Sequence, residues 1–500
     1  MRHAHIVLAV LLVPATAVAG GQFAGDNGSQ GMQRAGAFAA KADDATALYY
    51  NPAALYKASK RELFVGVNVV SFHQSFDRAG QYEGAIGADG NRPAYDGDAF
   101  PRVQHKAEAQ PIPFIAFTFP MDKFALAFGV FAPHGYGKRN YPDQVRTRSG
   151  QMAPAPQRYD TVQQSGVIAF PSVGFAYQLS PEISIGGRFS YGFAELQTRR
   201  FAQGVPNKSE TPGQDTDASV VVKDEEIMTY GLGFHYHPSP SFEFAATYTA
   251  PIEIDARGTT APTLGSDLAN AVPGMVTEIV PVADADARCA TGGAVGAIKT
   301  CVDMSLPQTA TMGMRWIRRD ADGTELGDLE FNVRWENWAA VDEYRVLMDG
   351  RNSAVDGPVN ETIGKHGYQD VYSVRLGGST RYSRGDGFLE IRYGIAYETA
   401  ATPVSWTRLD VDAGERFTAA AGISLPVGSM TLDIGAAYID TATRIVVHEQ
   451  VINKDNVGDR VQPDVSAPLL PADQQPYHPF NEGTYQSHYW VGSVGLRTAW

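Results

Sequence analysis

"EISIGGRFSYGFAEL" (Glu182–Leu196) is the stretch that settles the fold class. Ile183, Ile185, Phe189, Tyr191 and Phe193 fall on one parity, and Ser184, Gly186, Arg188, Ser190 and Gly192 on the other. A period of two residues belongs to an extended strand with one apolar and one polar face. The alternation recurs in "GDLEFNVRWENW" (Gly327–Trp338), "GFLEIRYGIAYE" (Gly387–Glu398) and "HYWVGSVGLRTAW" (His488–Trp500).

These segments are joined by connections that are alternately short and long. The short ones include "FPMDKF" (Phe119–Phe124), "LSPEIS" (Leu179–Ser184), "HPSPSF" (His237–Phe242), "SRGDGF" (Ser383–Phe388) and "PVGSM" (Pro426–Met430). They are built from Pro, Gly, Asp and Ser, the residues that close tight turns. The long ones run roughly over 74–110, 134–165, 201–223, 258–304, 339–367, 399–415 and 444–486. A β-sandwich would alternate as well, but nothing in it would sort connections by length. A transmembrane barrel does sort them, with short periplasmic turns and long outer loops. The count predicts an all-β, antiparallel transmembrane β-barrel of about 14 strands over residues 61–500, with both ends on the periplasmic side. Its last residue, Trp500, reads as the terminal aromatic offered to the barrel-assembly machinery.

Composition fits this class. The chain of 500 residues carries a formal net charge of −14 and a mean hydropathy of −0.22, values that would also suit a soluble acidic protein. A barrel escapes that inference because its polar interior offsets its apolar exterior. The acidic balance argues against nucleic acid as a partner. Met1-Arg2-His3, the apolar run 6–13 and Ala17-Val18-Ala19 have the three parts of a secretory signal peptide, placed at residues 1–19. In an exported chain the nearby Cys289 and Cys301 suggest a loop disulfide. Without a CxxC or Cys/His set, neither a metal nor another cofactor is expected. His134, His235, His237 and His488 have no G-x-S-x-G companion, so an enzyme is not expected. Asp320-Ala321-Asp322-Gly323 lacks the remaining ligands of a calcium loop and reads as a hairpin turn.

One stretch breaks the pattern. "AAKADDATALYYNPAALYKAS" (Ala39–Ser59) is too apolar for a linker and too irregular for a strand. With the lead that precedes it, "RAGAFAAKADDATALYYNPAAL" (Arg34–Leu55) resembles the N-terminal hatch of the FadL family of outer-membrane hydrophobic-substrate transporters. The matching elements are Ala35-Gly36, Ala42-Asp43-Asp44-Ala45 and Tyr50-Asn51-Pro52-Ala53. "GVFAPHGYGKRNYP", "ATYTAPIEIDARG" and "LPQTATMGMRW" are similar to later family marks. Ala250, where the family usually has serine, and the terminal Trp500 depart from it.

The resemblance implies a hatch over residues 20–60 inside the lumen, with Asp43, Asp44, Tyr50, Asn51, Pro52 and Ala53 as its gate. It also implies a monomer in the bacterial outer membrane, in contact with outer-membrane lipid and lipopolysaccharide. Its function would be passive uptake of long-chain fatty acids or aromatic hydrocarbons. A general porin and a barrel enzyme or adhesin are the alternative readings.

The resemblance further implies a landing groove on two outer loops, for which the loops after the fifth and seventh strands are the candidates. The second of these holds "DLANAVPGMVTEIVPV" (Asp267–Val282), too apolar for an ordinary exposed loop, so Leu268, Val272, Met275 and Ile279 are candidate contacts for an apolar ligand. Inside, a carboxylate headgroup would seek a cation. Arg188 and Arg200 share the inward parity of one strand and are the candidates. Arg315, Arg334, Arg375, Arg392 and Arg497 also point inward, as do Glu330, Glu336, Glu390 and Asp433; these read as wall-bracing ion pairs.

Overall fold

The two-residue period propagates around a complete circle of antiparallel strands. The computed structural model describes residues 26–500 except for 85, 87–89, 107, 133–136, 204–209, 211, 266–278, 283–287, 290–297, 353–356, 359–361, 385–386 and 448–477. The region assigned to the signal peptide, residues 1–19, and the first residues of the hatch lie outside the described residues.

In chain order the barrel strands are β1 (Glu62–Arg78), β2 (Gln110–Met121), β3 (Phe124–Phe131), β4 (Gln163–Gln178), β5 (Ile183–Gln203) and β6 (Asp215–Ser239). β7 (Phe242–Thr249 and Ile252–Leu264) and β8 (Ile298–Leu306 and Thr309–Arg319) are each interrupted once. β9 (Glu325–Glu336), β10 (Val371–Arg384), β11 (Gly387–Glu398), β12 (Arg416–Val427), β13 (Met430–Val446) and β14 (Gly483–Ala499) complete the set. Each pairs with its chain neighbour, and β1 pairs with β14 from Glu62↔Ala499 to Arg78↔Gly483, which closes a 14-stranded barrel. Closure pairs the first strand with the last and so removes the open sheet edge that hydrocarbon does not tolerate.

The wall is sided as the pattern requires. On β5, Phe189 is 49% exposed on the outside whereas Arg188 is 8% exposed on the inside. Tyr191, Phe193, Tyr230, Trp316, Tyr393 and Trp490 extend the outer apolar and aromatic surface. The breaks in β7 and β8 come from proline. Continuing the register from Thr249↔Thr309 to Ile252↔Leu306 sets Pro251 opposite Pro307, and neither has an N–H to give a ladder.

Two connections are shorter than the sequence pattern suggests. The stretches at 201–223 and 258–304 are partly strand, since β5 and β6 stay paired to Gln203↔Asp215 and β7 reaches Leu264. Beyond Phe193 the outward residues become charged and pair across strands, as in Lys223–Glu195 at 2.9 Å and Arg199–Asp217 at 2.6 Å. The apolar alternation therefore fades while the backbone ladder continues.

At the loop end Cys289 and Cys301 are disulfide-bonded with their Cα atoms 5.6 Å apart. The buried Asp349 carboxylate accepts from the N–H groups of Cys289 (2.7 Å) and Arg288 (2.9 Å), tying this segment to the wall. At the other end, Asp320 Oδ1 accepts from the N–H groups of Asp322 and Thr324, so that acidic stretch is a hairpin turn.

Residues 26–58 fill the lumen. They form α1 (Ser29–Gln33), α2 (Ala47–Tyr50) and a 3-10 helix (Pro52–Lys57). Phe38, Leu48 and Leu55 pack with the wall residues Phe64, Phe114 and Phe131 in one buried cluster.

Candidate functional site

The plug sits close to the wall because the wall is bare where they meet. Asn51 precedes Pro52, the first residue of the 3-10 helix, where a missing N–H costs nothing. Its Oδ1 accepts from Ala53 N–H at 3.1 Å, and its Nδ2 donates to the carbonyls of Ala39 (3.0 Å) and Phe234 (3.3 Å). Ser184 Oγ donates to the Ala53 carbonyl at 3.0 Å. A Cβ at Gly186 would lie 2.4 Å from Ala53 N, and one at Gly174 would lie 2.3 Å from Leu48 Cδ1. The polar-face glycines of β4, β5 and β6 thus form the bed on which Leu48–Leu55 rests.

Charges fasten the rest. Arg34 makes a bidentate pair with Asp328 on β9, at 2.7 and 3.0 Å, with both side chains fully buried. Glu330 accepts from Ala40 N–H (2.8 Å) and Lys41 N–H (2.9 Å). Lys57 donates to Glu243 at 2.8 Å, and Arg315 pairs with both Glu243 and Asp328. Among the gate candidates, Asp44 is buried and accepts from Gln30 Nε2 at 2.7 Å, whereas Asp43 is exposed and pairs with Lys41 at 3.0 Å. Tyr50 stacks edge-on against Phe38 and Tyr49.

Two cavities lie between the plug and the outer loops. The lower one, of about 770 Å³, has Tyr49 and Tyr50 as its floor and Phe131, Phe170, Arg188, Arg334 and Arg375 in its wall. The upper one, of about 900 Å³, is lined by Leu196, Val220, Val222, Val302, Met304, Val346 and Met348, with Arg200 among them. Phe170, Leu196, Val220, Val222, Ile227, Ile252 and Val302 belong to one apolar cluster that reaches both cavities. An apolar track therefore runs down the inside of β4–β8.

The polar side of the upper cavity comes from loops. Arg408 faces Asp410 at 3.3 Å and Asp160 at 3.6 Å, and His366 Nε2 is 3.1 Å from Asp410. Burial, then the neighbouring Asp410, pushes the Asp160 carboxyl up to about 6, with Arg408 opposing. These four groups form one ion-paired cluster. Arg200, half-buried at the same cavity, makes no hydrogen bond or ion pair among the described residues.

Arg188 and Arg200, twelve positions apart on β5, thus serve different cavities. Leu268, Val272 and Met275 lie outside the described residues, as does the side chain of Ile279, whose backbone pairs with Asn352 in a short strand. Asp160, His366, Arg408 and Asp410 carry no periodic signal in the sequence, because loops bring them together. Asp328 lies at the start of the alternating stretch Gly327–Trp338 and shares the parity of Glu330, a signal that marks it as inward.

The sequence profile of the outer membrane protein transport proteins (OMPP1/FadL/TodX) matches residues 10–473. An outer membrane protein of Neisseria meningitidis serogroup B is 22% identical over 437 residues, covering 87% of this chain and 88% of that one. The crystal structure of a Pseudomonas aeruginosa FadL homologue superposes with a TM-score of 0.67 at 14% identity, covering 97% of this chain and 98% of its own. The Ralstonia pickettii toluene transporter TbuX superposes with a TM-score of 0.59 at 14% identity, covering 95% and 98%.

Proposed function

Because the chain belongs to the OMPP1/FadL/TodX family of outer-membrane transporters of hydrophobic compounds, we propose that its own cargo is an apolar compound ending in a carboxylate, of the fatty-acid kind. The observation that carries this reading is Arg200, a cation without hydrogen bond or ion pair among the described residues, set in a cavity that has an aliphatic wall on one side and an ion-paired polar wall on the other. Such a cavity takes an alkyl chain on one side and one anion on the other. A neutral hydrocarbon would leave Arg200 without a hydrogen-bonded anion.

In this reading the ligand lands on an outer apolar patch that includes Leu268, Val272, Met275 and Ile279. It enters the upper cavity with its carboxylate on Arg200 and follows the β4–β8 apolar track to the lower cavity. Residues 20–60 act as the gate, with Asp43, Asp44 and Tyr50–Ala53 in the part that must yield. Support comes from the burial of Leu48 and Asn51 and from the three hydrogen bonds of the Asn51 side chain. Transport is passive, without cofactor or covalent chemistry, by a monomer held in outer-membrane lipid beneath lipopolysaccharide.

The test is binding of laurate and dodecanol, equal in chain length and different in charge, to the purified protein at pH 8. Arg200→Met should weaken laurate by about tenfold to a hundredfold, the worth of a hydrogen-bonded charge, and leave dodecanol unchanged. Equal binding of the two probes to the wild type, with toluene uptake insensitive to Arg200→Met, would instead favour a neutral aromatic cargo.

A further inference from the structure

We propose that Arg188 is the latch of the plug: a ligand carboxylate in the lower cavity draws its guanidinium away from the plug carbonyls and so frees Ala47–Tyr50. The inference rests on the carboxylate reading above.

Arg188 differs from the arginines that brace the plug through ion pairs. Arg34, Arg315, Arg375, Arg392 and Arg497 each face a carboxylate, belonging to Asp328 (Arg34 and Arg315), Asp26 (Arg375) and Asp433 (Arg392 and Arg497). Arg188 faces none among the described residues. Its Nη1 donates to two neutral acceptors, the Tyr49 carbonyl at 3.1 Å and the Leu48 carbonyl at 3.5 Å. Its Nε is buried without a partner, and its Cζ lies 5.6 Å from the Tyr49 ring centre. The side chain is therefore a buried cation held only by dipoles and a ring face, an arrangement whose desolvation is poorly offset.

The surroundings favour an anion there. Arg188, Arg334 and Arg375 all line the lower cavity, and among the described residues its one lining carboxylate, Asp26, is engaged with Arg375 at 3.0 Å. Charge-assisted hydrogen bonds are about twice as strong as those to neutral acceptors. An arriving carboxylate thus outcompetes the Leu48 and Tyr49 carbonyls for Arg188. The guanidinium packs against Gly231 of the wall, where an added Cβ would crowd Nη2 at 3.3 Å, so the absence of a side chain leaves it space on that side.

The release is local. Arg34 stays on Asp328, and Ala40 and Lys41 stay on Glu330, because none of those partners lines the lower cavity. The carboxylate needs no change in the ion-paired half of the plug to loosen α2.

The experiment is hydrogen exchange read by mass spectrometry on the full-length protein in non-ionic detergent at pH 8, with laurate or dodecanol as the probe. In the wild type, laurate should speed exchange in peptides covering 47–53 by about tenfold and leave those covering 34–41 unchanged. Dodecanol should change neither set. In Arg188→Met the 47–53 amides should exchange fast with or without laurate, while laurate still binds through Arg200. Arg188→Lys, which keeps a cation and disturbs the fold less, should retain a laurate response. Preferential laurate binding with no change at 47–53 would overturn the latch and leave the proposed cargo standing. So would an undiminished laurate response in Arg188→Met. Equal binding of laurate and dodecanol to the wild type would overturn both.

Discussion

Gly233 of β6 lies directly against Asn51 of the plug, so close that a Cβ on the glycine would fall 2.2 Å from Asn51 Oδ1. The same side chain caps the 3-10 helix and reaches the Phe234 carbonyl, so wall and plug are fitted to one another at this point.

Gly233→Ala should therefore displace Asn51 and loosen the plug, at about 1–3 kcal/mol, the usual range for overpacking. The expected result is faster proteolysis near residue 51 and greater leak of small polar solutes through reconstituted protein. Gly492→Ala is the control, since nothing lies within 4 Å of its added Cβ; equal behaviour of the two variants would contradict the fit.

The Arg34–Asp328 pair predicts a larger effect. Removing one partner of a fully buried ion pair costs about 3–5 kcal/mol, because the other charge is stranded. Arg34→Met should free the plug's first half while the barrel stays folded, giving raised solute leak with unchanged strand content by circular dichroism. Asp328 keeps Arg315 at 2.9 Å, which places this variant at the lower end of the range.

Asp160 predicts a pH dependence. Its carboxyl titrates near 6 in the folded loop, above the unfolded value of about 3.9. Its contribution to folding is therefore present at low pH and lost as the pH rises through 6. Below 6 it is neutral, and the field around Arg200 becomes more positive. Dodecyl sulfate, ionised throughout, should bind about threefold to tenfold more tightly at pH 5 than at pH 8. Asp160→Asn should bind at both values as the wild type does at pH 5, by isothermal calorimetry.

The disulfide predicts a local effect. Cys289 and Cys301 close a loop with a sequence separation of 12, worth about 3 kcal/mol to that loop. In Cys289→Ser/Cys301→Ser, trypsin should cut after Arg288 several times faster. Barrel melting should not move, since β7 and β8 remain paired from Ile252↔Leu306 to Thr260↔Ile298.

Much of this architecture is legible in the residues. The parity of Ile183–Phe193 placed Arg188 inside and Phe189 outside, and short turns separated from long loops implied closure. Where β5 and β6 rise above the apolar band, outward Glu195 and Arg199 erase the alternation, so the strands run longer than their pattern shows. The polar wall of the upper cavity was not legible. Asp160 and Arg408 are separated by 248 positions, yet their charges lie 3.6 Å apart.

The sequence by itself determined the barrel, because alternation, turn residues and proline act locally and every strand states its own sidedness. It also marked residues 39–59 as a segment that could not be wall. Only the tertiary structure decided which inward arginines are answered by carboxylates and which are not. That distinction depends on charges brought together across the lumen from distant strands and loops. It sets Arg200 and Arg188 apart from cations that look the same along the chain.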